Sequence, residues 1–127
     1  MVEVLALANN LKQHDFSGTH VLAEFYGVSF PLFDRKELET VVTEACIAGN
    51  AHIIQQEIAE FTNGGYTLFA LLKESHLSIH TYPEHQSIFL DVFTCGNADS
   101  KKVIEKLTDY YQPDSFSLQT IKRGVRK

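Results

Sequence analysis

The segment Glu74-Ser75-His76-Leu77-Ser78-Ile79-His80-Thr81-Tyr82-Pro83-Glu84-His85-Gln86-Ser87-Ile88-Phe89-Leu90-Asp91-Val92-Phe93-Thr94-Cys95 sets the architecture. Leu77 to Thr81 and Ser87 to Thr94 are rich in β-branched and aromatic residues and are separated by Pro83-Glu84-His85-Gln86. They read as two strands of a hairpin-like pair. Side chains alternate across a strand, so Ile88, Leu90 and Val92 face one way and Phe89, Asp91, Phe93 and Cys95 the other.

Upstream, Tyr66 to Leu72 reads as an apolar returning strand, and Ala51 to Phe61 as the extended stretch that precedes it. Thr62-Asn63-Gly64-Gly65 joins them, because Asn-Gly and Gly-Gly accept the positive φ of a hairpin turn. Gly18-Thr19-His20 opens a further strand that runs to Tyr26. Asp34 to Ala48 reads as a helix: Asp34 can cap it, Glu37 takes the capping-box position, and Leu38, Val41, Val42 and Ala45 form one stripe that ends at Gly49. Cys46, beside that stripe, reads as a small buried side chain. A second helix spans Asp99 to Tyr111, with Val103, Ile104, Leu107, Tyr110 and Tyr111 as its stripe and Pro113 as its stop. Ser115 to Ile121 reads as a last strand, and Leu5 to Lys12 as a short helix. The order β-α-β-β-β-β-α-β predicts an α+β domain, a two-layer sandwich whose mainly antiparallel sheet carries its helices on one face.

The 127 residues fit one domain, 1–127, with 44% apolar and 21% charged residues. The net charge of −5 argues against nucleic acid as a partner. No apolar run reaches membrane length and no signal peptide is read at the start. Two distant cysteines, Cys46 and Cys95, suit a reducing, cytoplasmic setting better than a disulfide framework.

Ser75 follows an acidic residue, His80 lies five residues on, and Cys95 follows the next strand. A serine hydroxyl can attack the carbonyl before it, converting the amide to an ester, if the peptide is strained and the oxyanion has donors. A base such as histidine can then remove the serine α-proton, and elimination leaves a pyruvoyl group. Judged by residue types alone, the plainer reading is stronger: a turn serine and a strand histidine. His76, His80 and His85 lack a Cys or carboxylate to complete a metal set, so no metal is expected. His14, His20 and His52 read as ordinary surface or half-buried residues. Asp91 reads at least as well as a polar partner for a nearby backbone group or histidine as it does as a catalytic group.

The run Glu74 to Glu84, with Asp91-Val92-Phe93-Thr94-Cys95-Gly96 and Gly18-Thr19-His20-Val21-Leu22-Ala23-Glu24-Phe25-Tyr26, resembles the signature of the prokaryotic S-adenosylmethionine decarboxylases. The resemblance implies cleavage between Glu74 and Ser75 into 1–74 and 75–127. It makes Ser75 the precursor of a covalent pyruvoyl cofactor that condenses with the substrate amine as a Schiff base. His80 then stands as the processing base, Cys95 as the proton donor and Thr67 as an assisting hydroxyl. Phe61 would stack on adenine and Glu84 would hold the ribose hydroxyls of S-adenosylmethionine. It also implies a homo-oligomer, dimer or higher, with sites at or near the pairing surface, and a product that serves spermidine biosynthesis.

The chain departs from the pattern at Gly65-Tyr66-Thr67-Leu68, where the family has Gly-Val-Ser-Gly, and at Lys73, where a small residue is common. Leu68 is expected to add bulk near the pocket, which keeps arginine or ornithine open as substrates. An unprocessed relative that acts as a binding or regulatory subunit is the non-enzyme alternative.

Overall fold

The computed structural model describes residues 16–126. The helix expected at Leu5 to Lys12 lies outside the described residues. Strands β1 (Gly18–Tyr26), β2 (Ile53–Glu60), β3 (Tyr66–Leu72), β4 (Ser75–Tyr82), β5 (Ser87–Cys95) and β6 (Ser115–Arg123) form one sheet in the order β2-β3-β4-β5-β1-β6. Every neighbouring pair is antiparallel. Helices α1 (Arg35–Ala48) and α2 (Ser100–Tyr111) cover one face, giving the expected α+β sandwich. Two short 3-10 turns, Phe30–Leu32 and Pro83–His85, were not anticipated. Each carries a proline in its first turn, where the fixed φ suits a helical start.

Asp34 caps α1 by accepting from the Lys36 N–H at 3.1 Å, without the reciprocal bond from Glu37 that a capping box would add. Leu38, Val41, Val42, Ala45 and Cys46 turn inward from α1, and Val103, Ile104, Leu107 and Tyr111 from α2. Cys46 is the inert core thiol expected: burial, then the nearby Glu74 charge, push its pKa up to about 11. Gly49 ends α1 at an ordinary φ of −93°, and Asn50 takes the left-handed conformation instead. The glycine serves close approach. A Cβ there would collide with Val103 Cγ2 and stand 2.7 Å from the Asp99 carbonyl oxygen, so any side chain would wedge the two helices apart.

The strands supply the core with every second residue. Val21, Ala23, Phe25, Leu68, Ala70, Leu72, Leu77, Ile79, Ile88, Leu90 and Val92 point to the helices and are buried. The intervening residues form the open face, where no described element covers them. Leu22, Tyr26, Phe69, Leu71, Phe89 and Ile121 stand there, each more than a third exposed. Exposed apolar side chains gathered on one sheet face are a common mark of an interaction surface.

Candidate active site

The β3–β4 hairpin turns on only two residues, Lys73 and Glu74, with Leu72 paired to Ser75. Two-residue hairpins normally place positive φ on the central residues, often Gly or Asn. Here neither central residue has it, and Ser75 takes φ 146° instead. A serine held there is strained, at a cost of about 1–3 kcal/mol. The peptide that joins Glu74 to Ser75 is therefore loaded before any chemistry.

The Glu74 carbonyl oxygen accepts from the Cys95 backbone N–H at 3.1 Å and from the Cys95 thiol at 3.2 Å. β5 brings Cys95 there because Ser75 pairs with Thr94, one residue away. Two donors on one carbonyl are the arrangement that stabilises negative charge developing on that oxygen. The Glu74 carboxylate is fixed as well. It accepts from the His52 backbone N–H at 2.8 Å and lies 2.6 Å from His52 Nδ1. Burial pushes its pKa up, but the bonds and charge of His52 outweigh this and hold it below the usual range. His52 is exposed, within the surface or half-buried reading of the sequence, and it also ties down the Glu74 carboxylate.

A second group of expected residues lies at the other end of the sheet, on its open face. Thr67 pairs with His80 across β3 and β4, which puts the Thr67 hydroxyl 3.0 Å from His80 Nδ1. Phe61, Asn63, Tyr66 and Tyr82 join them around a cleft of about 400 Å³. Glu84 adjoins this cleft and accepts from the Asn63 side-chain amide at 3.4 Å. Tyr82 and Asn63 line the space on both sides. Leu68 is not near the cleft. It is fully buried on the helix side, because the residue after Thr67 must point away from the open face. The expectation that Leu68 narrows the pocket is corrected accordingly.

The two groups do not meet within one chain. Ser75 and His80 are five residues apart on β4, about 16 Å at the usual strand rise. The structure brings Glu74, Ser75 and Cys95 together, and Phe61, Thr67 and His80 together with Glu84 adjoining, but leaves the two sets at opposite ends.

Between them lies a cluster the sequence reading did not assemble. Asp91 Oδ2 is 2.7 Å from His20 Nε2 and 3.3 Å from His76 Nε2, while Oδ1 accepts from the Ser78 hydroxyl. Burial raises the Asp91 pKa, but the hydrogen bonds from Ser78 and His20 and the two nearby imidazoles lower it more, and it ends below the usual value. Asp91 is thus the histidine partner that one of its two readings anticipated. The three ligand-type side chains lie within 4.8 Å of one another. The 2.7 Å separation of His20 and Asp91 is hydrogen-bond geometry, shorter than the edge of about 3.3 Å of a tetrahedral zinc shell. No periodicity could have revealed this cluster, since His20 lies 71 residues from Asp91.

Comparison with known proteins supplies the relation. A family model described as S-adenosylmethionine decarboxylase matches residues 19–124. The chain is 34% identical over 110 residues to S-adenosylmethionine decarboxylase proenzyme 2 of Bacillus anthracis, covering 85% of this chain and 89% of that protein. It is 32% identical over 109 residues to an S-adenosylmethionine decarboxylase proenzyme of Archaeoglobus fulgidus, covering 84% and 97%. The fold superposes on the crystal structure of the adenosylmethionine decarboxylase from Aquifex aeolicus with a TM-score of 0.78 at 32% identity, covering 87% of this chain and 92% of that one. With the match spanning every strand of the sheet and both groups of expected residues, the chain belongs to the S-adenosylmethionine decarboxylase family.

Proposed function

We propose that this chain is a decarboxylase of S-adenosylmethionine that makes its own pyruvoyl group by cutting between Glu74 and Ser75. One observation carries the reading: a strained Ser75 follows a carbonyl already held by the two donors of Cys95. Ser75 Oγ attacks that carbonyl, the C–N bond breaks, and the proton passes to the Ser75 nitrogen, leaving an ester. A base removes the Ser75 α-proton, the Cβ–O bond breaks, and Glu74 departs as a carboxylate. Addition of water and loss of ammonia leave the ketone at position 75. When formed, that group supplies an electron sink next to the substrate's α-carbon.

The divided site has a direct remedy. A second copy laid antiparallel over the open face would bring its own Phe61, Thr67, His80 and Glu84 to the end of the sheet that holds the first copy's Cys95 and the Glu74–Ser75 peptide. The same pairing covers the exposed Phe69, Leu71 and Phe89. In that assembly His80, hydrogen-bonded to Thr67, serves as the base. Phe61 stacks on the adenine ring, Glu84 accepts from the ribose hydroxyls, and the Cys95 thiol returns a proton to the α-carbon after carbon dioxide leaves. The decarboxylated product is an aminopropyl donor for polyamine synthesis, which places the work in the cytoplasm. Among the described residues, no helix is long and apolar enough to cross a membrane.

Because Leu68 lies in the core, bulk at that position gives no reason to prefer arginine or ornithine. The test is intact mass under denaturing conditions with a carbon dioxide release assay on S-adenosylmethionine, arginine and ornithine. Pieces of 74 and 53 residues (127 − 74 = 53) are expected, the second blocked at its amino end. Ser75→Ala should stay whole and inactive. Cleavage that persists in Ser75→Ala would end the proposal. Faster turnover of arginine or ornithine would replace the substrate and keep the chemistry.

A further inference from the structure

The tip of the β3–β4 hairpin is tied to a residue that the chemistry above does not use. His52 lies immediately before β2 and brackets the turn with three contacts. Its N–H donates to Glu74 Oε1 at 2.8 Å, its Nδ1 sits 2.6 Å from Oε2, and its carbonyl accepts from the Lys73 N–H at 2.8 Å. Both residues of the turn are therefore held by one neighbour. The Glu74 side chain is only 15% exposed, while the His52 ring is 63% exposed. The imidazole gives up little water and the carboxylate gains its partner.

The far side of the same residue is held by Cys95, through the Glu74 carbonyl. Glu74 is thus gripped from two directions, by its carboxylate and by its carbonyl. A two-residue turn built from Lys73 and Glu74, without Gly or Asn, would otherwise relieve the φ of Ser75 by rotating its own peptides. Such a rotation would swing the Glu74 carbonyl off the Cys95 donors.

We infer that His52 is a positioning residue for self-cleavage. It holds the Glu74 carboxylate so that the scissile carbonyl stays on Cys95 while Ser75 stays strained. His52 touches no reacting atom and acts only through Glu74. The inference rests on the self-cleavage reading and adds to it a residue outside the set implied by the family resemblance.

The test follows cleavage over time in full-length chain made by cell-free translation, for wild type, His52→Ala and His52→Asn. A hydrogen bond to a charged group is worth a factor of about ten or more, so His52→Ala should slow cleavage by about that much. His52→Asn keeps a side-chain N–H donor for the same carboxylate and should restore most of the rate. Unfolding midpoints are read in a Ser75→Ala background, where cleavage cannot interfere, and His52→Ala should lower the midpoint by only a few degrees, as loss of a pair with one exposed partner does. Wild-type chain that never cleaves would remove the reading and the inference together. Wild type and His52→Ala cleaving equally fast would overturn the inference alone. Slow cleavage in both variants with a midpoint lowered by more than about 10 °C would also overturn it, by making His52 a merely structural residue.

Discussion

On the helix-covered face of the sheet, Phe25, Leu68, Leu77, Ile79, Ile88 and Val92 are fully buried. One residue along the same strands, Tyr26, Phe69, His76, Ser78, His80 and Phe89 stand on the open face. The backbone is shared and only the parity differs. Folding is therefore secured by one half of the strand residues, and the other half is left to bear hydroxyls, imidazoles and a carboxylate at little cost to the core. It follows that damage to the two faces should separate: changes on one face should act on stability, changes on the other on turnover.

The largest effect should come from the open face. Cys95→Ala should still cleave in part but lose decarboxylation by about 10²–10⁴-fold, the usual worth of a general acid. His80→Ala should stall as an ester that hydroxylamine releases. The unfolding midpoints of both should stay near wild type. Full turnover by Cys95→Ala would break the division of labour, and a large stability loss in either variant would blur it. The next effect belongs to the covered face. Leu68→Ala should cost about 2–5 kcal/mol in denaturant unfolding, as buried leucines do, and leave the ranking of substrates unchanged. A changed substrate ranking would place Leu68 in the site after all.

Glu84→Gln is the third comparison. Weakening charge-assisted bonds to a diol should cost at most about 1.5–3 kcal/mol in kcat/KM for S-adenosylmethionine, with unfolding unaffected. An unchanged kcat/KM would remove Glu84 from substrate binding. The smallest effect concerns Asp91, whose pKa is depressed in the fold. A depressed carboxylate adds stability that is present above its unfolded pKa, about 3.9, and is lost as pH falls through the lower folded value. The acid side of the wild-type stability curve should therefore drop below about pH 4, and Asp91→Asn should flatten that drop. Identical acid limbs in the two proteins would show that the His20–Asp91–His76 cluster carries no linkage.

Much of this was readable before any coordinates. The alternation in β5 and the stripes of both helices are local signals, and they predicted the elements and their order. Within the eleven-residue signature, resemblance marked Ser75, His80 and Glu84, the residues to which the proposed function gives roles. What could not be read was register. Thr67 meets His80, and Asp91 meets both His20 and His76, only because four strands align in one particular stagger. The misplacement of Leu68 has the same origin: an aligned segment says which residues are present, and only the strand's parity says which way each one points. His52 escaped notice because its partner is 22 residues away and nothing in its own neighbourhood marks it.

A cut at the hairpin tip would also change what kind of molecule this is. The first 74 residues supply β1, β2 and β3, and the remainder supplies β4, β5 and β6. In the sheet these alternate: β3 lies beside β4, and β1 is clasped between β5 and β6. The two pieces are interleaved like the fingers of two hands, so severing the peptide frees neither of them. Once unfolded, however, they would have to find each other again as separate molecules. The pieces of an uncut chain would be tethered during refolding, whereas recovery of a cut protein would depend on its concentration. If the proposed cut is made, assembly before cutting would be a one-way order of events that follows from the strand order of the sheet.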